Sequence, residues 1–248
     1  MKKILLLLCL SLIPLSLLSQ EDEEFELPFE DSPLVEESLD YFVLAGGITF
    51  DWLMISETNL NSFDQFSDAM KLSGPIQLVG GQGVTGIPWV KNLRLGVFGY
   101  GGSIESNIVE ETVLMQNSLI ASMFGFSVHY GYVPFKNFAI LGGVNAGWGD
   151  VTFEHYFASA NPVEELNPPT TGLISRLEKN YFFAMPNLQI EYAFANFIII
   201  RADASYNMTI GQDNNWTYSR LGTSTLNPDF DLSGLKVGFG VMVGLVNF

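Results

Sequence analysis

Six charged residues stand out by their spacing: Asp51, Arg94, Glu191, Arg201, Asp203 and Lys236. Each lies in a segment whose apolar residues recur at every second position, and each falls on the opposite, polar side. Three acids balance three bases. Charge removed from water persists when it is paired, so the six read as one polar network inside an enclosed wall. The chain has two histidines, His129 and His155. Serine becomes nucleophilic only beside a base, and Ser127 precedes His129 by two residues. That spacing on one strand arises by chance. His129 is read as a hydrogen-bonded interior residue and His155 as a residue opening a loop. No catalytic residue is assigned and no enzymatic activity is expected. The single cysteine, Cys9, lies in the apolar N-terminal run, so no thiol chemistry, metal site or cofactor is expected beyond it. No helix follows the Gly80-Gly81-Gln82-Gly83 run, which reads as strand or turn and not as a nucleotide site. Trp216, Tyr218 and Arg220, beside Asn214 and Asn215, suit contact with an extracellular ligand such as a glycan, and equally suit a self-packed loop.

Strands must position these groups. From Gly234 to Phe248, residues Leu235, Val237, Phe239, Val241, Val243 and Leu245 share one face, with Gly234, Gly238, Gly240, Met242 and Gly244 on the other. A period of two belongs to a strand. The same alternation places strands at about 41–54, 75–84, 92–104, 117–132, 137–153, 180–194, 197–210 and 232–248. Long polar connections are expected at 55–74, 105–116, 154–179 and 211–231, with a short helix from Ser62 to Leu72. Short turns are expected at 85–91, 133–136 and 195–196. Each short turn leads into an asparagine: Lys91-Asn92-Leu93, Lys136-Asn137-Phe138 and Asn196-Phe197. Asparagine is suited to the left-handed backbone of a tight turn.

The ends of the chain are different in kind. Lys2-Lys3 precede an apolar run from Ile4 to Leu18, broken by Ser11, Pro14 and Ser16. The run is too short to span a bilayer and reads as a cleavable leader, residues 1–19. Residues 21–40 hold ten of the 27 acids and no base, and 20–40 reads as a disordered acidic segment. The net charge of −16 becomes −18 without Lys2 and Lys3, which argues against nucleic acid as a partner. No later stretch supplies the ~20 apolar residues of a membrane helix, although 48% of residues are hydrophobic. The apolar strand faces carry no charge in their central parts, where Lys or Arg facing lipid would cost about 2–4 kcal/mol. Trp89, Phe135, Tyr192, Phe194 and Phe197 gather near the short turns, and Trp52, Trp148, Phe182 and Tyr206 near the long loops, as interfacial aromatics do. The expected fold is all-β: an eight-stranded antiparallel up-and-down transmembrane β-barrel over residues 41–248, set in the lipid of a bacterial outer membrane.

On these features the chain resembles the small eight-stranded outer-membrane barrels: the OmpX type, the OmpA transmembrane domain and the OmpW type. The resemblance implies a C-terminal strand read by the barrel-assembly machinery, with apolar residues at alternate positions counted back from a final Phe. Here that parity falls on Val246, Gly244, Met242 and Gly240, while the stronger apolar row has the opposite parity. A bulge near Asn247 or an inward Phe248 would reconcile the two. The first functional expectation is a structural or interaction and adhesion protein with a packed polar lumen and acidic loops able to meet an extracellular ligand. The alternative is a narrow channel or small-ligand barrel of OmpW type, its space left by inward Gly47, Gly96, Gly125, Gly143, Gly147, Gly238 and Gly240. A third is a lipid-modifying enzyme built on His129 and Ser127. The register is expected to set Glu191 opposite Arg201, Gln189 opposite Asp203, Asn187 opposite Ser205 and Phe194 opposite Ile198. Closure between the first and last strands is expected to bring Asp51 to Lys236.

Overall fold

The alternating segments become eight long strands in the computed structural model, which describes residues 42–62, 70–110, 113–159, 170–194, 197–213, 215–218, 222–223 and 230–247. The expected leader, acidic segment and most of the 62–72 helix, with Arg220 and Phe248, lie outside these residues. The long strands are β1 (Phe42–Ile55), β2 (Ile76–Gly86), β3 (Leu93–Glu110), β4 (Val113–Phe135), β5 (Phe138–Ser159), β6 (Thr170–Phe194) and β7 (Ile198–Gln212). Two short strands follow, β8 (Thr217–Tyr218) and β9 (Gly222–Thr223), and then the last long one, β10 (Gly234–Asn247). One helical turn, α1 (Glu57–Leu60), follows β1, and the Ser56 hydroxyl caps it by accepting from the Asn59 N–H.

Each long strand pairs antiparallel with its successor, β7 with β10, and β10 with β1. The sheet closes on itself, which removes its edges from lipid. The expected register is present: Glu191 faces Arg201, Gln189 faces Asp203, Asn187 faces Ser205 and Phe194 faces Ile198. Asn92 and Asn137 in the short turns adopt φ of 62° and 70°, the left-handed backbone for which asparagine is suited. The β1–β10 ladder runs unbroken from Ile55 opposite Gly234 to Phe42 opposite Asn247. The expected bulge near Asn247 is therefore absent, and the stronger apolar row of β10 simply faces outward as far as Leu245.

Outward faces carry the apolar residues. Val243 is 61% exposed and Phe126 60%, and cross-strand rings stack on that outer face at Phe50–Phe239 and Phe124–Trp148. A continuous apolar band of this extent requires lipid. With this outward apolar band and an even number of long strands in a closed ladder, this is a transmembrane barrel of the bacterial outer membrane.

Two loop expectations are corrected. Residues 105–116 and 154–179 were expected to be long connections, yet the ladder continues to Glu110 opposite Val113 and to Ser159 opposite Thr170. Alternation fades there because both faces of the sheet lie above lipid. A register shift between His155 and Tyr156 also breaks the parity. The barrel is consequently lopsided: β3 to β6 run 18, 23, 22 and 25 residues, against 14, 11, 15 and 14 for β1, β2, β7 and β10. At about 3.3 Å per residue, the four long strands stand as a sheet above the rim of the others.

Glycines on the two faces differ physically. A Cβ on Gly102, facing inward, would overlap the Gln77 carbonyl and come within 3.0 Å of the Leu78 Cα, whereas one on the neighbouring Gly101 would meet nothing within 4 Å. Gly102→Ala should lower stability by about 1–3 kcal/mol or more, and Gly101→Ala should stay within about 1 kcal/mol of the parent or gain slightly. Denaturant unfolding of the two variants in micelles checks this, and equal effects would contradict the inward crowding.

Candidate functional site

The lumen gathers all six charged residues into two adjoining clusters. In the upper one, Asp51 of β1, Gly238 of β10 and Asp203 of β7 form one cross-strand row, and Lys236 stands one inward step above Gly238. Its Nζ donates to the Asp51 carboxylate and to Asp203 Oδ2, the latter at 2.9 Å, and lies 5.0 Å from the centre of the Tyr100 ring. A Cβ at Gly238 would strike the Asp51 carboxylate. The glycine thus makes the room in which two acids share one base.

In the lower cluster, Glu191 of β6 is shared by two arginines. Arg94 reaches it across the barrel from β3, with Nη1 at 2.7 Å from Oε1 and Nη2 at 2.6 Å from Gln189 Oε1. Arg201 of β7 places Nε at 2.8 Å and Nη2 at 2.7 Å on the same Oε1. Its Nη1 donates across the lumen to Gln82 of β2, and its Nη2 lies 3.0 Å from the Met242 sulfur. The two guanidinia tie opposite walls through one carboxylate. Two bases and one acid below, and one base and two acids above, leave opposite residual charges on adjacent levels. Charged hydrogen bonds of this kind are the strong ones, and their loss leaves a buried ion uncompensated.

A packed polar lumen was expected throughout, and the structure restricts it to a layer. Beneath it Val43, Ala45, Val84, Leu141, Ile199 and Met242 form an apolar cluster. Above it the interior is apolar again, with Phe98, Tyr100, Met123, Phe153, Tyr181 and Phe183 packed together. Trp216, Phe230 and Leu232 close the top. The space among Val151, Lys179, Tyr181, Phe230 and Leu232 is too small for a water molecule. The alternation rule assigned the inward face to polar residues, but above the lipid that face belongs to an ordinary water-excluding core.

Trp216, expected either to meet a ligand or to pack within its own loop, does the second: it is 0% exposed, packs edge-on against Phe230 at 5.7 Å and lies 5.6 Å from the Lys179 ammonium. A large ring gains more from burial in this cap than from exposure. Tyr218 packs half-buried on the same cluster, and Arg220 lies outside the described residues. His129 is buried, as expected, and its Nε2 accepts from the Gln189 amide at 3.2 Å. The ring nitrogen on that side is occupied, and the Ser127 hydroxyl is buried with no partner among the described residues. His155 is not a loop residue. It sits on β5 above lipid, its Nδ1 donates to Asn117 Oδ1 at 2.6 Å, and burial holds its pKa below the ordinary 6.5.

Sequence reasoning missed Gln82 and Tyr100 as partners of the charges. Gln82 had a readable signal: it is the one amide on the inward face of β2, between Gly80 and Val84. Tyr100 had none, because an inward aromatic looks like core.

No protein-family model matches this chain, and no curated protein matches it. Among solved structures it is similar to Ail, the attachment invasion locus protein of Yersinia pestis, at 9% identity and a TM-score of 0.35, covering 84% of this chain and 99% of that one. It is similar to CarO2 of Acinetobacter baumannii at 9% identity and 0.38, covering 82% and 99%. It is also similar to the outer-membrane protease OmpT of Escherichia coli at 10% and 0.30, covering 86% and 97%. No residue role passes from them to this chain; fold and membrane placement rest on the closed ladder and the apolar band.

Replacing Lys236 by Met leaves Asp51 and Asp203 facing one another across Gly238. Stability should fall by about 3–5 kcal/mol, and adding Asp51→Asn and Asp203→Asn should recover most of the loss. Urea unfolding reads both. A Lys236→Met barrel as stable as the parent would show that the cluster is hydrated.

Proposed function

We propose that this barrel is a non-conducting outer-membrane scaffold whose product is its extracellular surface: it presents a rigid sheet and acidic hairpins for contact with partners outside the cell. The observation that carries this reading is the closure of the lumen at three successive levels, apolar, ionic and apolar. The raised part of β3 to β6 supplies the surface. Above Ser103, which pairs with Gln77, the β3 edge from Ile104 to Glu110 has no ladder partner on the β2 side among the described residues, and Glu105 and Asn107 are exposed on it.

The narrow-channel reading finds less support. The inward glycines do not open space, because a Cβ at Gly47 or Gly147 would run into the backbone of the neighbouring strand. The reading assigns no catalytic role. Ser127 and His129 are sealed inside the wall, out of reach of a lipid substrate. Recognition of β10 by the barrel-assembly machinery belongs to the same proposal, supported by the outward row from Leu235 to Leu245.

Refolded protein in a planar bilayer at molar salt should give no conductance steps above baseline. Cells displaying the chain should attach less to extracellular-matrix surfaces once the β3–β4 hairpin is shortened to the height of β2. Stable steps of uniform size would overturn the scaffold reading. Attachment indifferent to the hairpin would overturn the role given to the sheet.

A further inference from the structure

The rim of the barrel has a notch. β10 begins at Gly234, opposite Asn207, so among the described residues β7 continues from Met208 to Gln212 without a ladder partner on that side. On its other side β7 bulges: Phe183 pairs with Thr209 and Phe182 with Gly211, leaving Ile210 unpaired. Bulges at barrel rims re-aim side chains and frequently border functional sites. Beside this bulge lies an open cavity of about 470 Å³ lined by Asn59, Thr209, Ile210, Gly211, Gln212 and Asp231. That volume is in the range of small-molecule sites, about 300–1,000 Å³. It is a blind dish, since Phe230 and Leu232 in the cap beneath are fully buried.

Its chemistry is selective. The described lining contains one carboxylate, two amides and one hydroxyl, and no Lys, Arg or His. Amides and hydroxyls each donate and accept. The carboxylate is pre-set: the Ser233 N–H and Oγ both donate to Asp231 Oδ1, at 2.9 and 2.8 Å, and the Ser233 Oγ in turn accepts from the Thr209 N–H at 3.1 Å. Oδ2 remains to accept from a ligand. The Thr209 hydroxyl is buried with no partner among the described residues. An anion would meet Asp231 in an acidic chain. An ammonium group could use only the acceptors and would leave the amide donors unmatched. Paired donors and acceptors around a fixed carboxylate match vicinal hydroxyl groups, which also donate and accept.

We propose that this notch binds a neutral saccharide unit of pyranose size, with Asp231 and Gln212 as its principal hydrogen-bonding side chains and the Asn59 amide also in its lining. The inference rests on the interaction reading and gives it a ligand class, at residues other than the aromatic loop positions. Its source is either the sugar of a surrounding outer-leaflet glycolipid or a free saccharide from outside.

The test uses the full-length protein in a detergent without a sugar headgroup. Methyl α-glucoside, methyl α-galactoside and methyl α-mannoside are titrated with ligand-detected NMR, with spermidine and glucuronate as cationic and anionic comparators. Saturable binding of at least one hexoside is expected, weakened about tenfold or more by Asp231→Ala and by Gln212→Ala. Gln212 is exposed, so its variant keeps the test readable if the Asp231 variant misfolds, and circular dichroism reports the barrel in both. Repeating the titration in glycolipid-containing vesicles separates the sources: loss of hexoside binding there places the lipid sugar in the notch, and persistence indicates a free saccharide. No saturable binding of any hexoside, binding unchanged in both variants, or preference for spermidine would overturn the proposal. None of these results would alter conductance or hairpin-dependent attachment, which test the scaffold reading separately.

Discussion

Glu191 is the point on which the interior depends. A charge on the inner wall of a small membrane barrel has lipid behind it and little water in front, so it must find its counter-charge across the lumen. One carboxylate oxygen receives two arginines from different walls, and each arginine carries a second bond to an amide, Gln189 or Gln82. Glycines stand beside several of these charges in the ladder. Gly86 stands opposite Arg94, Gly240 opposite Arg201, and Gly238 between Asp51 and Asp203. At Gly238 the missing side chain is used directly, since a Cβ there would strike the Asp51 carboxylate, whereas Lys236 stands between Leu53 and Ser205. The two clusters carry opposite residual charge at adjacent levels of β7, where Arg201 and Asp203 are two residues apart. The six-residue ionic layer is neutral only as a whole, which ties the closing strands β1 and β10 to it.

Above that layer the logic reverses from membrane protein to soluble protein. Once the strands leave lipid, polar residues can face out into water and apolar residues turn in, and Phe153, Leu177 and Trp216 continue the inner core there. The loop returning to β10 serves this core with Phe230 and Leu232. Around this filled wall the rim is uneven: a raised sheet at β3 to β6 and a notch beside the bulged β7. The outer end of the barrel is therefore where specificity can reside.

The sequence carried the wall and its register clearly, because within lipid each residue has only two environments and the period of two records them. Glu191 opposite Arg201 and the Asp51–Lys236 contact followed from parity, and the turns at Asn92 and Asn137 from the backbone preference of asparagine. The signal failed where the environments changed. Residues 105–116 mix polar and apolar residues without a period of two and looked like loop, although Glu105 and Ser118 pair in the ladder. Ile174 falls at a register shift that cancels the alternation of β6. Trp216 looked like a surface aromatic because burial of a loop side chain depends on contacts distant in sequence. The same limit hid the notch, whose residues come from α1, the end of β7 and the start of the β10 approach, and share no local pattern.

The account stands on a dry ionic layer, and the most direct measurement of that layer is solvent exchange of the Arg201 Nε–H, followed by NMR in the folded barrel. This proton is donated to Glu191 at 2.8 Å inside the closed lumen. The account predicts exchange slowed to the level of the backbone amides of β6 and β7. Exchange as fast as that of free arginine would mean that water reaches Glu191, and the lumen would then be a filled channel and not a closed core.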